Sequence, residues 1–242
     1  MQSINPLAQR NNQIDGLRAF SFFLVFLYHA GYLEAGYIGV DLFFILSGYL
    51  MTSSIISTNN AEGKKGAVTF IQKRMARLLP SMLVLIIFTI TLSYMLVPDS
   101  DRNEILRTGL TILIASTNYY LAFAQDYFGM SAMLNPFTHM WSISAEIHFY
   151  LIIAVLGFLF NFRLLGWVII FFVLLYLSIF IGGESSQTYL FSHTRIVSFF
   201  FGSAVYFISI KKSYLYESTP LMLIALYSIL FLSSCIKFPA II

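Results

Sequence analysis

The chain is predicted to be an all-α, polytopic transmembrane helical bundle, and three observations predict it. First, its 242 residues are 58% hydrophobic and only 10% charged. A mean hydropathy of +0.79 goes with that, more apolar surface than a soluble domain of this length can bury. Second, apolar runs at or above spanning length recur near 17–33, 37–57, 78–97, 105–124, 142–160, 164–181, 195–210 and 219–240. Third, Phe (25) far outnumbers Trp (2), which suits lipid-facing and interfacial positions. The net charge of +3 comes mostly from one stretch, so nucleic acid is not an expected partner. Cys235 is the only cysteine, so no intrachain disulfide forms and cysteine-based metal spacings are absent; no metal site is expected.

Each element follows from local sequence. The run after Arg18 resembles a secretory signal, but Asp15 precedes it and a second apolar run follows almost at once. Cleavage near Ala30 would also remove His29, so the run is read as retained. A tight turn around Gly31, Glu34 and Gly36 makes the first two runs an antiparallel hairpin. The polar stretch Ser57 to Arg77 holds Lys64, Lys65, Lys73, Arg74 and Arg77 and is expected to be a loop. The positive-inside rule makes it cytoplasmic, together with the N-terminus carrying Arg10 and Arg18. Residues 98–104, where Asp99, Asp101 and Glu104 outweigh Arg102, then lie outside.

If all eight runs cross, Arg163, Lys211 and Lys212 fall on the outer side, against the charge rule. If 105–124 does not cross, they return inside. That run contains Thr108, Gly109, Ser116, Thr117 and Asn118 and is the most polar of the eight. The preferred reading is seven crossings plus this re-entrant or displaced segment, since non-spanning backbone is tolerated where protein covers it. The sequence has no inverted repeat and no low-complexity tract, so 1–242 is read as one transmembrane domain.

Arg18 and His29 are the first candidate site residues. Eleven helical steps make three turns plus about 20°, with a rise of roughly 16 Å. Both side chains therefore point one way, Arg18 near a membrane surface and His29 near mid-bilayer, where ionisable groups are costly and usually line a bundle interior. Burial favours the neutral imidazole, whose lone pair can take a proton from a hydroxyl. The plainer alternative is a structural histidine bonded to a neighbouring helix. Asp15, three residues before Arg18, starts the same stripe.

Lys73-Arg74-Met75-Ala76-Arg77 is the second candidate. Arg74 and Arg77 share a helix face and are either interfacial anchors or a clamp for a phosphorylated ligand. The third is His139-Met140-Trp141-Ser142-Ile143-Ser144-Ala145-Glu146, after Pro136. If helical, it sets His139, Ser142 and Glu146 on one face, able to bind a sugar or orient a base. Against that stands a simple helix start, with Ser142 capping and Glu146 near the positive dipole end. In the run from Gly39 to Tyr49, Gly39 and Gly48 leave room for close helix approach and Ser47 can bond across helices. Asp41, heading an apolar run, needs a partner. His193 and Arg195, ahead of Gly202, read as interfacial anchors.

Taken in order, these segments resemble the membrane-bound acyltransferase 3 family, bacterial proteins that O-acylate cell-surface glycans. The resemblance is carried by Ile14-Asp15-Gly16-Leu17-Arg18-Ala19, His29, Gly39 through Tyr49, Phe70 through Pro80, His139 through Glu146, and Thr194-Arg195 before Gly202. It implies transfer of an acyl group, usually acetyl, from cytoplasmic acyl-CoA to a hydroxyl of an extracytoplasmic carbohydrate. Acyl-CoA is then a donor substrate, and no permanently bound cofactor is expected. His29, Arg18 and Glu146 take catalytic roles, and Arg74, Arg77 and Lys73 hold the acyl-CoA. Asp15, Asp41, Ser47, His139, Trp141 and Ser142 are positions for substrate, with Tyr28 and Tyr32 as further candidates. The implied setting is the bacterial inner membrane, multi-pass, N-terminus cytoplasmic, with acyl-CoA, a cell-surface or lipid-linked carbohydrate and membrane lipids as partners. Two departures stand out. Ile147-His148 replaces the usual Glu-Gln or similar polar pair, and seven or eight segments replace about ten, so the chain is expected to be C-terminally incomplete. A non-catalytic truncated membrane protein and a transporter of a small substrate are the competing classes.

Overall fold

The computed structural model describes residues 12–124, 134–160, 173 and 190–211, which are helical with no strand among them. The helices are α1 (Asn12–His29), α2 (Ile38–Glu62), α3 (Lys65–Leu96), α4 (Asp99–Leu113), α5 (Thr117–Ala124), α6 (Trp141–Phe160) and α7 (Ser192–Lys211). Among the described residues, three stretches are long and apolar enough to cross a membrane: Glu34–Glu62, Lys65–Leu96 and Thr138–Leu159. The chain is thus an all-α membrane protein. The expected runs 164–181 and 219–240, with Arg163, Lys212 and Cys235, lie outside the described residues.

The chain divides into two compact units, residues 1–54 with 198–242 and residues 55–197. In the first, α1 and the start of α2 form the expected hairpin. Gly31, at φ +75°, donates to the Tyr28 carbonyl at 3.0 Å, and a 3₁₀ turn at Glu34–Tyr37 leads into α2. A left-handed residue here favours glycine. The two helices nearly touch through their backbones: a Cβ on Gly36 would sit 2.2 Å from the Leu24 carbonyl oxygen, and one on Gly39 2.4 Å from that of Ser21.

Residues 198–211 of α7 pack on α2 in the same manner. A Cβ on Gly48 would lie 2.0 Å from the Phe199 oxygen, and one on Gly202 1.9 Å from the Ile45 oxygen. Where lipid is as apolar as the side chains, such close approach is what drives helices together. Phe44 stacks on Phe199 at 4.6 Å, and Thr52 donates to Ser203 at 2.7 Å. The glycines therefore do the packing expected of them.

In the second unit the 57–77 stretch is not the loop expected. α2 runs on through Glu62, one left-handed glycine at Gly63 (φ +62°) turns the chain, and α3 starts at Lys65. Lys and Glu are good helix formers, so charge marks a helix end at the membrane surface without breaking the helix. Thr69 donates to Glu62 across the turn at 2.5 Å. α6 runs antiparallel to α3: Met140 joins the Met82 and Ile86 cluster, Tyr150 meets Phe70 edge-on at 6.0 Å, and Asn59 donates to the Gly157 carbonyl at 3.2 Å.

The segment 105–124 is likewise not one continuous helix. It breaks at Ala115 (φ +52°), and α5 folds back along α4. Thr111 donates to Thr117 at 3.2 Å, and Tyr120 donates to Glu104 at 2.6 Å. The polar residues that set this run apart, Thr108 and Thr117, are fully buried within protein. Thr108 accepts from Asn135 at 2.7 Å.

Candidate active site

The basic pair of α3 and the carboxylate of α6 come together in the second unit. Arg74 and Arg77 lie well inside α3, three residues apart on one face. The Arg74 guanidinium sits over the Phe70 ring, 5.5 Å from its centroid. Phe70 is buried and packs against Tyr150, and the Tyr150 hydroxyl donates a short hydrogen bond to Glu146 Oε1. Arg77 and Lys73 are exposed, Arg74 and Glu146 half-buried, and Tyr150 buried. A carboxylate and a phenol are thus linked through Phe70 to the Arg74 guanidinium, and Arg77 lies exposed on the same face of α3. Planar guanidiniums grip phosphate oxygens in pairs, which an ammonium does not.

The rest of the third motif is placed differently. His139 falls in a 3₁₀ turn, Thr138–Met140, and α6 begins only at Trp141. Two steps at three residues per turn shift His139 by only about 40°, which leaves it near the α6 face that carries Glu146. His139 is exposed, and Ser142 donates back to its carbonyl at 3.2 Å, a local bond at the helix start. Trp141 is 3% exposed and is covered by the Arg195 guanidinium at 5.8 Å. It is a packing residue in this structure, and Arg195 has a role inside the unit beyond anchoring.

The first-unit candidates form their own group. Asp15 and Arg18 share the first turns of α1, and the Arg18 guanidinium lies 5.5 Å from the Phe43 centroid. Asp41 has the partner it needs, accepting from Ser198 at 3.2 Å. Ser47 is fully buried, and its hydroxyl has no hydrogen-bond partner, unlike the cross-helix bond expected. His29 is the last residue of α1, exposed, with the Tyr28 ring edge-on at 5.1 Å. The expected mid-span, buried imidazole is corrected: the helix ends there because Gly31 turns the chain two residues later. No cluster of three or more His, Cys, Asp or Glu able to hold a metal occurs among the described residues.

Tyr150 is the site residue that sequence reading missed. Its signal was a tyrosine four residues after Glu146, on the same helix face, inside a run otherwise read as lipid-facing.

An all-α bundle with spanning-length helices and a polar centre on α3 and α6 defines a class, a helical membrane protein. The acyltransferase domain model matches residues 11–241, and the chain belongs to that acyltransferase 3 family. It is 37% identical over 150 residues to a Komagataeibacter xylinus protein named as the membrane-bound transacylase BcsY, covering 62% of this chain and 38% of that one. It is 31% identical over 206 residues to the O-acetyltransferase OatA of Staphylococcus aureus, covering 81% of this chain and 34% of the relative. The matches thus take in little more than a third of these relatives' length. No solved structure matches the chain.

Proposed function

We propose that the chain is an integral-membrane O-acyltransferase, moving an acyl group, acetyl by preference, from cytoplasmic acyl-CoA to a hydroxyl of an extracytoplasmic glycan. The observation that carries this reading is the chain of contacts from Arg74 over Phe70 to Tyr150 and its bonded Glu146, in a chain of the acyltransferase family. The relatives' names, an O-acetyltransferase and a transacylase, support the choice of acyl group and acceptor oxygen.

A thioester is already activated, so the protein has to hold it, orient a hydroxyl and stabilise an oxyanion. Arg74 and Arg77 hold the phosphates of the CoA moiety, with Lys73 adding charge at the same surface. Glu146, its carboxylate fixed by the Tyr150 hydroxyl, orients the acceptor hydroxyl. His29 and Arg18 take the roles the family motif gives them, His29 as general base, worth typically about 10²–10⁴-fold in rate. The bacterial inner membrane with a cytoplasmic N-terminus follows from the basic surface at Lys64 to Arg77.

Membranes bearing the chain, supplied with labelled acetyl-CoA, should pass label to glycan. The His29→Ala protein should insert normally and transfer none. Full transfer by His29→Ala ends the assignment of the base, and no transfer by the unmutated chain ends the reading.

A further inference from the structure

The candidate site uses one face of α6. The opposite face carries a second polar centre with no assigned role. His148 lies two residues from both Glu146 and Tyr150, about 200° around the helix from each. Its Nδ1 is 2.6 Å from Ser192 Oγ at the start of α7, and the backbone of Ala115, at the apex of the α4–α5 hairpin, also hydrogen-bonds the ring. The buried Asn118 donates from Nδ2 to Ser192 Oγ at 2.8 Å and to the Leu190 carbonyl at 3.1 Å.

The partners set the hydrogen-bonding sense of the ring. A carbonyl only accepts, so the imidazole N–H belongs to Ala115. The neutral ring then offers a lone pair at Nδ1, which takes the Ser192 hydroxyl proton in a hydrogen bond. Ser192 Oγ in turn accepts from Asn118, whose amide orientation is set by the Leu190 carbonyl. One imidazole thereby ties α6 to the hairpin apex and to the head of α7. Since α3 grips α6 from the Glu146 side, the helix is held on two opposed faces, which leaves it no freedom to roll. A slip of one residue would turn Glu146 by 100°.

We propose that His148 is a positioning residue, fixing the rotation of α6 about its axis and so aiming Glu146 at the acceptor hydroxyl. This rests on the acyl-transfer reading above. The requirement is one acceptor and one donor at opposite ends of a flat group. A glutamine amide meets it as well as neutral imidazole does.

The experiment uses the full chain in membranes. His148→Ala should lower kcat about tenfold or more while leaving KM for acetyl-CoA within about twofold, because the arginines on α3 are untouched. His148→Gln should retain most of the rate. In a Glu146→Gln background, His148→Ala should cost nothing further. A His148→Gln protein as impaired as His148→Ala, or equal losses with and without Glu146, overturns the proposal. A second readout does not depend on turnover: with Cys235→Ser, Phe70→Cys and Tyr150→Cys, bifunctional crosslinking reports the rotation of α6. Yield should survive His148→Gln and fall several-fold with His148→Ala. A yield indifferent to His148→Ala overturns the proposal, even if the unmutated chain transfers no acetyl group and only the functional reading has failed.

Discussion

Residues 12–54 with 198–211 and residues 55–197 are held together by different means. In the first unit, α2 meets α1 and α7 almost backbone to backbone at Gly36, Gly39, Gly48 and Gly202, with bonds such as Thr52 to Ser203 and Ser198 to Asp41 beside those contacts. In the second, side-chain networks carry much of the organisation: Glu146 with Tyr150, Asn118 with Ser192 and His148, Asn135 with Thr108, Tyr120 with Glu104. The lesson is one of tolerance. Glycine contacts reject any added atom, whereas hydrogen-bonded networks reject a lost partner and accept changes of size that keep it.

The largest effect should come from the first unit. Gly202→Val places a side chain where a bare Cβ already lies 1.9 Å from a carbonyl oxygen, so folded protein should be lost from detergent extracts; normal yield and monodispersity would break the comparison. In the second unit, Arg74→Ala combined with Arg77→Ala should raise KM for acetyl-CoA by roughly 30-fold or more, since charge-assisted bonds to phosphate are the strong ones. Unchanged KM would move the donor site elsewhere. Tyr150→Phe keeps the ring against Phe70 and removes only the hydroxyl that fixes Glu146. It should cost about tenfold in kcat, the scale of a hydrogen bond to a charged group, with yield intact. Smallest of all, Gly16→Ala in α1 meets open space and should leave thermal stability equal or raised by about 0.5–1 kcal/mol, the helix-propensity difference. A clear loss there would show that the first unit is sensitive at glycines in general, not at close contacts.

Much of the fold was legible because lipid imposes one rule, a long apolar helix, and α2, α3 and α6 obey it. The error at 57–77 came from treating polarity as a loop signal. Charged residues leave a membrane without leaving a helix, and a single Gly63 supplies the turn. The break at Ala115 was foreshadowed by Thr108, Gly109, Ser116, Thr117 and Asn118, although φ at an alanine has no sequence signature. In the site, the paired arginines and Glu146 were readable as local motifs. Their meeting depends on the antiparallel register of α3 and α6, which no spacing encodes. Tyr150 was hidden because an aromatic in an apolar run looks like lipid-facing bulk until its hydroxyl finds a carboxylate. His29 was expected to be buried because its spacing from Arg18 was read without the turn that ends α1.

α3 is 32 residues long, about 48 Å at the helical rise, against a hydrocarbon layer of about 30 Å. Its uncharged part, 78–96, measures about 28 Å and fills that layer alone. The portion from Lys65 to Arg77 therefore exceeds the length that crossing requires, and α3 carries its charges on turns that a minimal spanning helix would not have.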